Sequence, residues 1–412
     1  MIPRRIFLRD GGFAVLGLSM VPGFVLRAAT AARPRLGSKK VLVTIFQRGG
    51  VDGLNVVVPF AEKAYYAYRP TIGVPAPSKD RTSALDLDGF FGLHPSLQPL
   101  LPLYQSGELA IVHAAGSPHE TRSHFEAQEY MESAAPGVKS TRDGWLNRYL
   151  YKSQHPEATA FRGVAMGPVL PRALKGSAPA VALGGMLSAG EELPETETVY
   201  RSMYDEESNS LLSGTSREMF EAMKQLQSLG TPPVAAGQGV RYPNGPFGRS
   251  LRDLARLIKA DLGVEIAFVD IGGWDTHAAQ GGVEGTLPGR LAQYAQAIAA
   301  FRRDLGDKMA DVIILTMSEF GRTARENGNA GTDHGKGNVM FVLGGGVKGG
   351  KVYGDWPGLE REVLNEDRDL AMTTDFRDVF AEVLVSHLEC AAPDEVFPQF
   401  TTDRRRFRGV LG

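Results

Sequence analysis

Cysteine is almost missing from this chain: Cys390 is the only one in 412 residues. An internal disulfide is therefore excluded, and so is a metal cage built from thiolates. An excess of either charge is missing too. With 45 Lys and Arg against 47 Asp and Glu, the formal net charge is −2, which leaves no electrostatic footprint for nucleic acid. The glycine-rich turn from Gly344 to Gly350 lacks the Lys-Ser/Thr of a phosphate loop, and no nucleophile motif of known spacing occurs. What remains for chemistry is oxygen and imidazole, the latter from eight histidines.

The N-terminus reads Arg4-Arg5-Ile6-Phe7-Leu8-Arg9-Asp10, then a moderately apolar, glycine-containing run from Gly11 to Leu26. Paired arginines ahead of a weak apolar core predict a twin-arginine export signal over 1–31, with a small-x-small cleavage site at Ala29-Thr30-Ala31. The run is too short and too rich in glycine for a comfortable span, so an uncleaved anchor is the weaker alternative. The expectation is a periplasmic protein handed folded to the twin-arginine export machinery, with no permanent membrane span. Residues 32–412 suffice for one large α/β domain or two smaller ones.

From Lys39 the order is strand, turn, helix, repeated. Short β-branched runs bounded by polar or Gly-rich sequence predict buried parallel strands at Val41–Phe46, Leu109–His113, Val264–Val269, Val312–Met317 and Val339–Leu343. Helical periodicity predicts helices from about His94 to Tyr104, Trp145 to Tyr151, Phe247 to Leu262, Leu287 to Leu305 and Phe376 to Leu388, the last capped by Thr373-Thr374-Asp375. Residues 137–239 read as an insertion or cap segment, with Asp205 to Ser216 as a polar linker. Together these predict an α/β fold around a mostly parallel central sheet.

In such sheets ligands gather beyond the carboxyl ends of the strands, and ionisable residues crowd there. Asp52 follows the first strand in Gly49-Gly50-Val51-Asp52-Gly53, although a turn aspartate next to glycine is common without any ligand. Ser117 and Ser123 follow the second; both fit a capping box, and Ser123, between Arg122 and His124, is the better nucleophile candidate. Asp275 and His277 follow the next strand, two apart, so an extended loop points both the same way. Ser318 and Glu319 follow Val312–Met317, and Asp333-His334 lies in the loop after them. Carboxylates and imidazoles so gathered repel one another without cations. One or two divalent ions, zinc, calcium, magnesium or manganese, are expected among Asp52, Asp275, His277, Glu319, Asp333 and His334. Two-metal sites of this composition serve displacement at phosphorus or sulfur.

In order along the chain, the twin-arginine signal, GGVDGLN, SHFEAQ, GGWDTH, SEFGRT, GTDHG and TTDFRDVF resemble the exported domain-of-unknown-function family 1501, itself similar in fold to the alkaline-phosphatase and sulfatase superfamily. That resemblance implies a single domain at 32–412, a three-layer alkaline-phosphatase-like sandwich. It implies metal-binding roles for Asp52, Asp275, His277 and His334, with Ser318-Glu319 standing where Asp-His normally follows the strand. The superfamily's Asp-x-x-x-His is here Asp-x-His, and its Cys/Ser-x-Pro-x-Arg signature is absent. The expected activity is a metal-dependent hydrolysis of phosphate or sulfate esters, small or polymeric, with Arg48 or Arg322 forking the anion. A non-catalytic member of the fold that binds a ligand or partner in the same crevice is the alternative.

Overall fold

A computed structural model describes residues 40–153, 158–159, 161–184 and 239–412. The segment expected to be an export signal, 1–31, the expected linker from Asp205 to Ser216 and the rest of 185–238 lie outside them. The strands are β1 (Val41–Arg48), β2 (Val57–Val58), β3 (Leu85–Asp86), β4 (Gly92–Leu93), β5 (Leu109–Gly116), β6 (Gly163–Ala165), β7 (Val181–Ala182), β8 (Ile266–Gly272), β9 (Val312–Met317), β10 (Asn338–Gly344), β11 (Lys351–Tyr353) and β12 (Thr374–Asp375). Nine of them make one sheet in the order β11-β5-β10-β9-β1-β8-β6-β7, with β12 beside β5, while β2, β4 and β3 form a small second sheet. Within the large sheet only β10 runs against its neighbours, pairing antiparallel with both β9 and β5.

The main helices are α1 (His124–Ser133), α2 (Trp145–Lys152), α3 (Pro246–Lys259), α4 (Thr286–Leu305) and α5 (Phe376–Ser386). Alternation along the strands decides which helices cover which face. Val312 and Ile314 of β9 pack into one core with Leu251, Leu254 and Ile258 of α3 and Leu291 and Ile298 of α4. Ile313, Leu315 and Met317 enter the opposite core with Trp145 of α2 and Phe376 and Phe380 of α5. A strand buried on both faces reads as a continuous apolar run, as β9 does. Each fully buried Leu or Ile contributes about 1.5–3 kcal/mol relative to exposure. No helix among the described residues is long and apolar enough to cross a membrane.

Several boundaries differ from expectation in ways that matter at the site. β1 continues through Arg48 and β8 through Gly272, so Arg48 and Asp270 are strand residues in register-adjacent strands. Pro99 and Pro102 break the expected His94–Tyr104 helix into a 3-10 turn at Pro95–Leu100 and a short helix at Leu101–Gln105. Part of the segment read as an insertion belongs to the central layers: α2 covers one face, and β6 and β7 extend the sheet beyond β8. Because β10 is antiparallel, its first residue lies at the edge where β1, β8 and β9 end. The loop from Ser318 to Gly337 therefore begins and ends at that edge.

Candidate metal centre

Three loops meet beyond this edge, and glycine lets them approach. Gly49 has φ 126°, and a Cβ there would lie 2.6 Å from the backbone nitrogen of Asp275; a Cβ on Gly331 would lie 2.4 Å from the carbonyl of His277. Arg322 then ties the loops together. Its side chain is fully buried and donates to the carbonyls of Gly49, Gly50, Trp274 and Thr332 and, at 2.7 Å, to Asp275 Oδ1. The guanidinium is spent on the protein's own acceptors, so the expected anion fork at Arg322 is corrected to a clamp.

Arg48 is corrected for the same reason. It donates to Asp270 at 2.6 Å, and to Gln128 and Glu132 at 2.9 Å each, with its guanidinium 4.4 Å from the Phe46 ring. Asp52 is set apart from the other candidates. Its carboxylate is 1 % exposed and bidentate to Arg69 at 2.6 and 2.9 Å, and Gln280 also donates to it at 2.6 Å. A carboxylate with its lone pairs so engaged holds the loop after β1 and is not available to an ion.

Asp275, His277, Asp333 and His334 do come together, joined by His124. His277 Nε2 lies 2.9 Å from His334 Nε2 and 3.0 Å from Asp275 Oδ1. His334 Nε2 is 3.4 Å from the same oxygen, and His124 Nε2 is 3.4 Å from Asp275 Oδ2. Among the described residues one group can hold a cation through three ligand atoms within 4.8 Å of one another: His124, Asp275 and His334.

The other nitrogen of each ring settles its tautomer. His124 Nδ1 is 2.8 Å from Glu319 Oε1, His277 Nδ1 is 2.9 Å from Asp333 Oδ1, and His334 Nδ1 is 2.8 Å from the carbonyl of Arg122. These oxygens only accept, so in each neutral ring the proton sits on Nδ1 and the Nε2 lone pair faces inward. His124 Nε2 is buried with no hydrogen-bond partner among the described residues. Lone pairs of two imidazoles 2.9 Å apart beside a carboxylate repel unless a proton or a metal lies among them.

Glu319 and Asp333 thus each engage a histidine of the cluster, so two of the expected metal positions are corrected to acceptors for His124 and His277. Glu319 is fully buried and its Oε1 accepts from His124, Gln128 and the Gly49 N–H. Burial raises its pKa, but hydrogen bonds from His124, Gln128 and backbone N–H groups together outweigh burial and keep it lowered. Asp333 is lowered chiefly by His277. The bond to Glu319 raises His124, whereas burial lowers His334. Burial pushes Asp275 up, yet Arg322, His277 and His124 together more than offset it and keep it lowered. The Phe320 ring, 4.9 Å from His124 and 4.7 Å from His334, backs the cluster with apolar surface.

Ser123 occupies the position before α1, exposed, without a side-chain capping bond. His124 escapes a reading of the sequence that treats it as a flank to Ser123. A signal was present, since His124, Gln128 and Glu132 recur every fourth residue and share one face of α1. The donor set fits a divalent ion of intermediate softness. Imidazole nitrogens beside one carboxylate suit zinc or a similar transition metal better than calcium or magnesium.

The model of a family described as a protein of unknown function (DUF1501) matches residues 39–396. No curated protein matches the chain.

Proposed function

The chain belongs to this family of unknown function, DUF1501, and from that premise we propose a periplasmic, metal-dependent hydrolase of phosphate or sulfate esters, exported by the twin-arginine route. One observation carries the proposal. Three imidazoles each meet an acceptor at Nδ1, and two of them, His124 and His334, offer ligand atoms within 4.8 Å of each other and of an Asp275 oxygen, with His277 Nε2 2.9 Å from His334 Nε2. Carboxylate–histidine and carbonyl–histidine pairs of this kind orient metal ligands and raise their basicity. The position beyond the carboxyl ends of β1, β8 and β9, in a mostly parallel sheet, supports an alkaline-phosphatase-like fold for this reading.

His124, Asp275 and His334 would hold the ion, with His277 beside them as a fourth donor. A divalent ion so held supplies Lewis acidity to an ester oxygen and makes water or a hydroxyl easier to deprotonate. A narrow cleft lies beside the cluster, lined by Ser117, Arg122, Phe320 and Lys336 among others. Arg122 pairs with Glu366 and, at 3.0 Å, with the buried Asp369, and Lys336 pairs with Glu120; Glu366 and Glu120 are more than half exposed. Exposed counter-ions exchange readily for a substrate anion, so Lys336 takes the anion-binding role expected of Arg48 and Arg322, with Arg122, anchored by Asp369, beside it. Ser123, free of capping duty, is the nucleophile of this reading.

The test is a panel of phosphate and sulfate esters offered to protein purified with zinc. Turnover that stops with a chelator, returns with metal and is lost in Asp275→Asn supports the hydrolase; Ser123→Ala should abolish turnover while retaining metal. Zinc bound without turnover of any ester would leave the non-catalytic ligand-binding alternative. Export is tested separately by replacing Arg4 and Arg5 with lysine, which should strand precursor in the cytoplasm. Unchanged export would point to the general secretory route.

A further inference from the structure

We propose that Gln128 is a positioning residue for the metal ligand His124, coupling the Arg48 ion-pair network to the carboxylate that orients that imidazole. The inference rests on the metal-site reading above. Gln128 lies one helical turn beyond His124, and Glu132 one turn further, so α1 turns all three towards the strand ends. Gln128 Oε1 is 2.9 Å from Arg48 Nη1, and its Nε2 is 2.9 Å from Glu319 Oε1. A guanidinium can only donate and a carboxylate can only accept, so the amide has a single permitted orientation.

Consequences run in both directions from that amide. Arg48 is itself immobilised by Glu132 and Asp270 from two other elements, so Gln128 is held against a fixed cation. On the other side it shares Glu319 Oε1 with the Gly49 N–H and His124 Nδ1. With two donors already fixing the oxygen, the third place around it determines where the imidazole of His124 stands. Without the amide the glutamate keeps the Gly49 N–H and the Ser318 hydroxyl but loses the donor that sets Oε1 from the α1 side, and its angle to His124 is no longer fixed.

Two substitutions separate this role from a general structural one. Gln128→Met keeps the length of the side chain but loses both bonds. Gln128→Glu keeps an acceptor for Arg48, with a stronger charge-assisted bond, but sets a carboxylate against Glu319. Zinc affinity, measured by chelator competition, should fall about 10- to 100-fold in both variants, and the visible absorption bands of the cobalt-substituted proteins should shift. A cooperative melt of each apo-protein, at a melting temperature lowered in Gln128→Glu by the buried carboxylate pair, establishes that the variant is folded, so that the affinity loss is read on folded protein; if one variant fails to fold, the other carries the comparison. Wild-type affinity and an unshifted cobalt spectrum in the folded variants would overturn the role of Gln128 and leave the metal site standing. A wild-type protein that binds neither zinc nor cobalt would overturn both.

Discussion

At the scale of single residues, Asp52 and Asp275 show what local sequence can and cannot convey. Each follows a strand in a glycine-rich turn, and each is a reasonable ligand on that basis. The difference is Arg69, seventeen positions from Asp52, whose guanidinium takes up that carboxylate in a buried pair. Nothing in the spacing announces the partner. The two aspartates should consequently respond in opposite ways to loss of charge. Asp52→Asn should cost about 3–5 kcal/mol of stability, the usual loss on breaking a buried pair, with zinc affinity of the folded protein unchanged. Asp275→Asn should abolish measurable zinc binding with a much smaller shift in the melting curve. Denaturant unfolding and zinc titration of both variants check this, and equal effects on affinity would return Asp52 to the site. His334, named from Asp-His, stands in the possible metal group, whereas His277, named from Asp-x-His, lies beside it at 2.9 Å from His334. The roles of Glu319 and Asp333 were not legible, since a carboxylate that binds a metal and one that binds a histidine look alike in sequence.

At the scale of elements, the long strands were legible and the short ones were not. Val312–Met317 matches β9 at both ends because its β-branched run is buried on both faces. β6 and β7, with three and two residues, are too short to leave an alternation, so their place at the sheet edge depends on β8 supplying the partner. The antiparallel course of β10 was equally hidden, as hydrophobicity carries no strand direction. The loops depend on glycine in a way that can be measured. At Gly49 a side chain would meet the Asp275 backbone in a conformation with φ 126°, and such strain costs about 1–3 kcal/mol. Gly49→Ala should lower stability by that order and also weaken zinc binding, because the displaced loop carries a ligand. A Gly49→Ala protein with wild-type melting and zinc affinity would show that the loops tolerate separation.

Across the whole molecule, three other histidines act as internal fasteners. His94 accepts from the Ser96 N–H and reaches the carbonyl of Gly282; His113 accepts from the Ala114 N–H and reaches that of Val57; His387 reaches the carbonyl of Val41. Burial pushes each down to about 4, against about 6.5 in an unfolded chain. Between those values the unfolded chain binds more protons than the folded one. Their contribution to stability is therefore complete above about 6.5 and is lost as pH falls towards about 4. Melting temperature should decline across that window, and His113→Gln should make the decline shallower; a flat profile from pH 7 to 4.5 would contradict the assignment. The most direct test of the account is crystallographic: anomalous diffraction at the zinc edge from crystals of the protein grown with zinc. The account predicts a single strong peak about 2.0–2.2 Å from His124 Nε2, His334 Nε2 and an oxygen of Asp275, and no peak at Asp52. Absence of a peak among those three side chains, or a peak elsewhere, would contradict it.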